Sequence, residues 1–137
     1  MTLDLYATPQ EVMRAVEELQ EFARTQGIPE KSIFGLSLAL EECGSNIVNH
    51  ALKGDAQKQF QVALQYSGGI FLIELQDDGA PFDPTAAAEG KARAEEGDPL
   101  GGWGIQLVRR YTDEIQYERE RGRNVLRLSK QIEPAKP

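Results

Sequence analysis

Two alternating segments between residues 58 and 76 constrain the fold more than any other feature of the sequence. Along residues 58–66, Phe60, Val62, Leu64 and Tyr66 share one face of a strand, and glutamines occupy the other face. A Ser-Gly-Gly turn at residues 67–69 leads into a second strand over residues 70–76. Because only one face of this hairpin is apolar, one layer of helices is enough to cover it. The sequence therefore predicts an α+β fold: a two-layer α/β sandwich whose mixed, mostly antiparallel sheet carries helices on one face.

Six further elements complete a predicted order of β-α-α-β-β-α-β-β. They cover residues 3–6, 8–27, 30–52, 103–111, 115–119 and 124–130. Thr8, Pro9 and Glu11 form a capping box at the start of the first helix, and Gly27 is its expected end. Residues 1–132 are predicted to form a single domain, with residues 133–137 as a frayed tail.

Composition limits the classes of function. The chain has 137 residues and a net charge of -7, which disfavours non-specific binding to nucleic acid or to an anionic membrane. A local site can still bind a small anion. Cys43 is the sole cysteine and His50 the sole histidine, which excludes an internal disulfide and a cysteine-rich zinc site. No signal peptide or long apolar run is evident, so a cytoplasmic location without membrane contact is expected.

A polar stripe follows the second predicted helix. Glu42, Asn46 and His50 are spaced i, i+4 and i+8, so they lie along one flank of its apolar face. This stripe points either into the space between helix and sheet or into solvent, and stripes of the second kind are common on amphipathic helices.

An acidic residue ends the second alternating strand on its apolar side. Asp77 continues the face of Phe71, Ile73 and Leu75, and a carboxylate there needs a partner because its burial is costly. Ordinary turn chemistry accounts for Asp78 and Gly79 but not for an inward Asp77.

A glycine-rich segment, GGWG at residues 101–104, opens the last predicted helix. Backbone N–H groups at such a site can converge on phosphate, although a flexible hinge has the same composition. The segment lacks the residues of a P-loop, and no βαβ unit precedes it, as a Rossmann fold would require.

Together the three segments resemble the GHKL (Bergerat-type) ATP-binding superfamily, and within it the anti-sigma factor serine/threonine kinases. Residues 41–51 read EECGSNIVNHA and are similar to the N box of that branch. Residues 77–84, DDGAPFDP, resemble its first glycine box, and residues 101–110, GGWGIQLVRR, its second.

The resemblance implies a role for each matching residue. Asn46 would bind Mg²⁺, and Glu42 would act as the general base that accepts a proton from a serine or threonine hydroxyl. Asp77 would accept a hydrogen bond from the adenine amine, and Gly79 would let the backbone approach the ring. Two glycines of the second box, Gly102 and Gly104, would present backbone donors to phosphate. The segment between the glycine boxes, residues 85–100, would be a mobile lid.

Several residues leave alternatives open. His50 either makes a structural hydrogen bond or lies beside the phosphates, and Lys53 is either a phosphate contact or an ordinary solvated lysine. Many members of the superfamily place Thr-Thr after the glycine of the last hairpin, whereas Arg123 and Asn124 stand here. Asn124 shares a strand face with Leu126, from which it can reach Asp77 or a bound water.

The resemblance also implies partners. The leading hypothesis is an ATP- and Mg²⁺-dependent kinase that phosphorylates an anti-anti-sigma protein and sequesters a sigma factor, and homodimers are expected. The second hypothesis is a nucleotide-gated binding module that switches partners without kinase turnover. A third, the ATPase half of a sensor histidine kinase, is disfavoured because no phospho-accepting histidine is left outside the N box.

Overall fold

The computed structural model describes residues 1–89 and 103–133 of the chain. Its strands are β1 (Thr2–Tyr6), β2 (Gln59–Ser67), β3 (Ile70–Asp77), β4 (Glu114–Glu120) and β5 (Arg123–Gln131). Its helices are α1 (Pro9–Thr25), α2 (Glu30–Asn46), α3 (Pro84–Glu89) and α4 (Trp103–Tyr111), with a π-helical turn (Ile47–Ala51) directly after α2.

The five strands form one sheet in the order β1-β2-β3-β5-β4. All described pairings are antiparallel, so the predicted two-layer α+β architecture is confirmed with an antiparallel rather than a mixed sheet. The β2–β3 hairpin turns at Gly68 and Gly69, whose φ angles of 58° and 79° suit a primed turn. In the long-range β3–β5 pairing, Asp77 lies directly opposite Asn124.

One hydrophobic core lies between the sheet and the helices. The apolar faces of β2 and β3 contribute Phe60, Phe71 and Ile73, and α1 and α2 contribute Leu19 and Leu36, all of which are buried. The alternation of residues along the two strands therefore placed the apolar face correctly. No helix in the described part of the chain combines the length and apolarity needed to cross a membrane.

The caps of α1 differ slightly from a capping box. The Thr8 side chain accepts a hydrogen bond from the Glu11 N–H at 3.1 Å, as predicted. The Glu11 carboxylate accepts from the Tyr6 N–H at 3.1 Å rather than from the N-cap residue itself. Gly27 follows the helix with φ 76°, as expected of its end.

The predicted second helix over residues 30–52 is not uniform. It is α-helical only to Asn46 and continues as the π-helical turn. A further difference is α3, which occupies the start of the segment predicted as a lid. Its first turn is capped by Asp83, whose carboxylate accepts from the Thr85 N–H at 2.9 Å and hydroxyl at 2.6 Å. Residues 90–100 of that segment lie outside the described residues, as do residues 134–137 of the predicted tail.

Helices α2 and α4 pack side by side in opposite directions. Near the start of α2, Gly35 lies against Tyr111 at the end of α4, and a Cβ at Gly35 would lie 2.6 Å from Tyr111 Cδ1. Two turns further along, Glu42 lies against Gly104 at the start of α4. A glycine on each helix thus allows the other helix to approach closely.

Candidate functional site

Asp77 occupies the inward position that the strand pattern predicts. The residue is 1% exposed and ends the buried face of β3. Its Oδ1 accepts two hydrogen bonds, from the Gly79 N–H at 2.8 Å and from Asn124 Nδ2 at 2.9 Å. No described residue donates a hydrogen bond to Oδ2. Among the described residues, every fully buried side-chain oxygen or nitrogen has a hydrogen-bond partner, so Oδ2 is not fully buried. Oδ2 is therefore reachable from the neighbouring crevice and is the atom left to accept from a ligand.

Burial raises the pKa of Asp77, and the hydrogen bonds from Asn124 and Gly79 oppose that rise. Arg119 also lowers this pKa through its positive charge. A carboxylate so placed is costly without a ligand, and a donor arriving at Oδ2 would offset the cost.

The Asn124 side chain ties three parts of the site together. Its Nδ2 donates to Asp77 Oδ1 and to the Ala80 carbonyl, each at 2.9 Å. Its Oδ1 accepts from the Phe82 N–H at 3.2 Å and from the Tyr117 hydroxyl. All four hydrogen-bonding positions of the amide are used within the protein, so Asn124 fixes Asp77 and the turn after β3 and has no free group for a ligand.

Gly79 is required by a close approach of two backbones. A Cβ at this position would overlap the Ala51 carbonyl of the π-helical turn. That carbonyl accepts from the Ala80 N–H at 3.0 Å, and Arg119 donates to the Gly79 carbonyl at 2.8 Å. The π-helical turn and the first glycine box are thus joined backbone to backbone.

A narrow crevice lies beside Asp77, between α2 and the sheet. Its apolar lining comes from both layers and includes Cys43, Ile47, Leu75, Phe82 and Leu126. Asn46, Asp77, Tyr117 and Asn124 supply its polar groups. Burial raises the pKa of Cys43, so its thiol stays protonated and acts as an apolar wall. An apolar slot with one accepting carboxylate suits a flat heterocycle that carries an amine.

The structure places two residues of the predicted polar stripe, Glu42 and Asn46, one helical turn apart near the end of α2. Both are half-buried. Asn46 lines the crevice itself, whereas Glu42 lies at the start of α4 against Gly104. Of the three stripe residues, only Asn46 faces the gap between helix and sheet; Glu42 faces α4, and His50 is exposed.

His50 lies within the π-helical turn, and Lys53 follows two residues after its end. His50 is exposed, and its ring stacks on Phe82 with centroids 4.9 Å apart and planes inclined by 14°. Lys53 is exposed in a left-handed conformation, with φ 54°, and no described side chain forms an ion pair with it. Gly102 lies outside the described residues.

Sequence reasoning missed three contributors to the site: Tyr117, Arg119 and Phe82. Tyr117 and Arg119 lie on β4, an edge strand that the sequence predicted over residues 115–119 without indicating what its side chains would contact. Their positions depend on the pairing of β4 with β5, in which Arg119 lies opposite Asn124. Phe82 sits in the first glycine box, and its hydrophobic side chain was the available signal.

The donor set can be tested against Mg²⁺. The described residues hold no group of three or more His, Cys, Asp or Glu side chains that could bind a metal unaided. Mg²⁺ bound with a nucleotide takes most of its oxygens from phosphates and water and few from protein. The amide oxygen of Asn46, half-buried at the crevice, fits such a site.

Comparison with known proteins assigns the fold to a family. The histidine kinase-like ATPase domain matches residues 5–130, from the end of β1 to the last residues of β5. The serine/threonine-protein kinase BtrW of Bordetella bronchiseptica is 28% identical over 134 residues, covering 97% of this chain and 94% of the relative. The serine-protein kinase RsbW of Listeria innocua is 25% identical over 131 residues, covering 92% of this chain and 83% of the relative.

Solved structures show the same fold. A crystal structure of the RsbU and RsbW domains of a Mycobacterium tuberculosis protein matches 98% of this chain with a TM-score of 0.69 and 19% identity, and the match covers 34% of that longer chain. The SiaB–SiaC complex from Pseudomonas aeruginosa contains a chain that matches 94% of this one, with a TM-score of 0.66 and 16% identity.

The two-layer fold is that of a histidine kinase-like ATPase domain. The chain belongs to the histidine kinase-like ATPase domain family. The predicted resemblance to the serine/threonine kinase branch of this superfamily is confirmed, since its relatives carry that name.

Proposed function

We propose that this chain is an ATP- and Mg²⁺-dependent protein serine/threonine kinase that also acts as an anti-sigma factor. The observation that carries the proposal is the Asp77 carboxylate, which is buried at the end of an apolar crevice with Oδ1 hydrogen-bonded internally and Oδ2 left for a ligand. Membership in the ATPase-like family and the names of its relatives support the same conclusion.

Adenine is the ligand whose chemistry fits the crevice best. Its exocyclic amine would donate to Asp77 Oδ2, and Leu75, Ile47 and Leu126 would bury the ring. Guanine presents a carbonyl oxygen at the corresponding position, and an oxygen facing a carboxylate leaves both acceptors without a donor. The site therefore favours ATP over GTP.

The phosphates of ATP would extend toward the C-terminal end of α2 and the N-terminal end of α4. Asn46 would contribute one oxygen to Mg²⁺, and bound Mg²⁺ would neutralise charge on the phosphates. The backbone N–H groups of Gly102 and Gly104 are the proposed phosphate donors. His50 and Lys53 are exposed, and the His50 ring stacks on Phe82 at the crevice; both residues are proposed as additional contacts on the phosphate side.

Glu42 is the proposed general base. Its carboxylate would accept the proton of a serine or threonine hydroxyl while the hydroxyl oxygen attacks the γ-phosphorus. The bond from that phosphorus to the bridging oxygen breaks, which releases ADP and leaves a phosphoserine or phosphothreonine on the protein substrate.

The proposed protein substrate is an anti-anti-sigma factor, and the proposed second partner is a sigma factor. The kinase names of the relatives and the SiaB–SiaC complex, in which a protein of this fold is bound to another, support a protein partner. We further propose that the protein acts as a homodimer in the cytoplasm and contacts neither nucleic acid nor membrane directly, in line with its net charge of -7.

The test begins with capture of partners from the native cytosol in the presence and absence of ATP. The captured anti-anti-sigma protein is then incubated with the kinase, Mg²⁺ and ATP, and phosphorylation is located by mass spectrometry. We expect phosphoserine or phosphothreonine with the parent protein and with Glu41→Ala, and at least a hundredfold slower transfer with Glu42→Ala, since general bases contribute roughly 10²–10⁴-fold. Glu41 is an exposed neighbour and therefore a matched control.

Equal rates for Glu42→Ala and Glu41→Ala would contradict the assignment of the base. Saturable ATP binding without transfer to any captured protein would instead favour a nucleotide-gated binding module.

A further inference from the structure

We infer that Gly104 is a positioning residue for Glu42: the missing side chain at Gly104 determines where the Glu42 carboxylate lies. The inference rests on the proposed role of Glu42 as general base. It adds a function to a glycine whose expected contribution was a backbone donor for phosphate.

The geometry is a direct contact between the two residues. A Cβ built on Gly104 would overlap Oε1 and Cδ of Glu42 and would lie 3.0 Å from its Cγ. Gly104 is buried at the start of α4, and Glu42 is half-buried one turn before Asn46. The carboxylate therefore occupies the space that any other residue at position 104 would fill.

Backbone conformation does not require glycine at this position. The φ of Gly104 is outside the left-handed range that disfavours other residues, and the residue lies within α4. Helix propensity alone favours alanine over glycine in such a place. The overlap with Glu42 is the feature of the structure that opposes a larger residue.

The atoms in conflict determine what an alanine would do. All three near atoms belong to the outer part of the flexible Glu42 side chain, not to backbone. The variant Gly104→Ala is therefore expected to displace the carboxylate while leaving the two helices in place. It also keeps the N–H group of residue 104, so a phosphate contact made by that group is retained.

The other close contact of the same helix pair supplies a matched control. A Cβ at Gly35 would lie 2.6 Å from Tyr111 Cδ1 and 3.1 Å from Tyr111 Cβ, an atom fixed to the α4 backbone. Gly35→Ala must therefore push the helices apart at their far end, two turns from Glu42. This variant measures the loss of stability caused by separating α2 from α4 without a direct clash with the Glu42 carboxylate.

The first experiment compares kinetics of transfer from MgATP to the captured anti-anti-sigma protein. We expect Gly104→Ala to lower kcat roughly 10- to 100-fold, because small displacements of a reacting group cost that much, while the KM for ATP changes less than threefold. In a Glu42→Ala background, the added Gly104→Ala should have no further effect on kcat. A fall in kcat of equal size in both backgrounds, or unchanged kcat in the parent background, would overturn the inference.

The second experiment does not depend on kinase activity. Thermal unfolding of the four proteins in the same double-mutant cycle should show coupling: Gly104→Ala raises Tm when residue 42 is alanine and raises it less, or lowers it, when residue 42 is glutamate. Gly35→Ala should lower Tm equally in both backgrounds. Additive effects of Gly104→Ala would overturn the contact itself, whereas absence of transfer by the parent protein would defeat the proposed function and leave this cycle to decide the inference.

Discussion

The two ends of the crevice are built differently. At the sheet end, Asp77 and Asn124 are buried, and every hydrogen-bonding position of the Asn124 amide is used within the protein. At the helix end, Glu42 and Asn46 are half-buried and His50 is exposed. The sheet end is thus held by internal hydrogen bonds, whereas the side chains at the helix end are more exposed to solvent.

This difference assigns a separate task to each end. A fixed acceptor in an apolar slot can select one base because misplaced donors and acceptors there find no water to compensate them. Groups that handle phosphate and a protein hydroxyl must admit two large charged reactants, which a closed and rigid site would exclude. Substitutions at the sheet end are therefore expected to change affinity, and those at the helix end to change rate.

The largest effect is expected from Asp77→Asn. The new amide can keep both internal bonds through its own oxygen, so only the crevice-facing atom changes, from acceptor to donor. Facing the adenine amine, it should weaken ATP binding by roughly two orders of magnitude, or about 3 kcal/mol, measured by calorimetry. The exposed neighbour Asp78→Asn is the control and should bind like the parent; equal affinities for all three proteins would remove Asp77 from the site.

Gly79→Ala is expected to cost stability as well as affinity. Its Cβ would overlap the Ala51 carbonyl, and two hydrogen-bonded backbones cannot separate without loss of packing. Overpacking of this kind costs about 1–3 kcal/mol in the free energy of unfolding, measured by urea denaturation. Gly44→Ala is the control because its Cβ would meet only the Val12 side chain, at 3.1 Å; a larger loss for Gly44→Ala would contradict the proposed rigidity of the sheet end.

Tyr117→Phe should have a smaller effect. It removes one hydroxyl that donates to Asn124 Oδ1, while the Phe82 N–H still satisfies that oxygen. We expect a loss of about 1 kcal/mol in stability and a similar loss in ATP affinity, with kcat unchanged. The control Tyr6→Phe, at an exposed position on β1, should change neither stability nor ATP affinity. A fall in kcat for Tyr117→Phe would contradict the assignment of Tyr117 to the sheet end.

The smallest effect concerns pH and the protein without ligand. Because burial raises the pKa of Asp77, the folded state holds this proton more tightly than the unfolded state does. The contribution of Asp77 to stability is therefore present at acidic pH and is lost as the pH rises through its elevated pKa. The unfolding free energy of Asp77→Asn relative to the parent should increase from acidic to neutral pH; a constant difference would show that the pKa is not raised.

The sequence predicted those parts of the molecule that depend on local patterns. Alternation identified the faces of β2 and β3, and Asp77 followed as an inward carboxylate because side chains alternate strictly along a strand. The N-terminal cap of α1 depended on three neighbouring residues and was also predictable. The cap of α3 had the same kind of signal, Asp83 before Pro84, but both residues were assigned to the first glycine box and no helix was predicted after them.

Long-range pairing decided what the sequence left open. Of the two alternatives for Asn124, the contact with Asp77 is confirmed, because β5 pairs with β3 and no turn between those two strands sets their register. The π-helical turn, in contrast, was not predicted, since the apolar residues Ile47, Val48 and Ala51 are compatible with either helix type. What accompanies the wider turn is the hydrogen bond from Ala80 to the Ala51 carbonyl, which joins residues far apart in the chain.

That wider turn also limits how the length of such a chain can vary. A single-residue deletion within Ile47–Ala51 would allow ordinary α-helical winding, but it would rotate the Ala51 carbonyl away from Ala80 and unlink the helix from the first glycine box. Residues 53–58, which follow at once, are exposed; within them the Gly54 N–H donates to the Val48 carbonyl, and the Lys58 carbonyl accepts from the Ala7 N–H. Insertions and deletions between the N box and β2 should accordingly be tolerated only between Gly54 and Lys58, which makes the turn a spacer of fixed length and those residues the part whose length can vary.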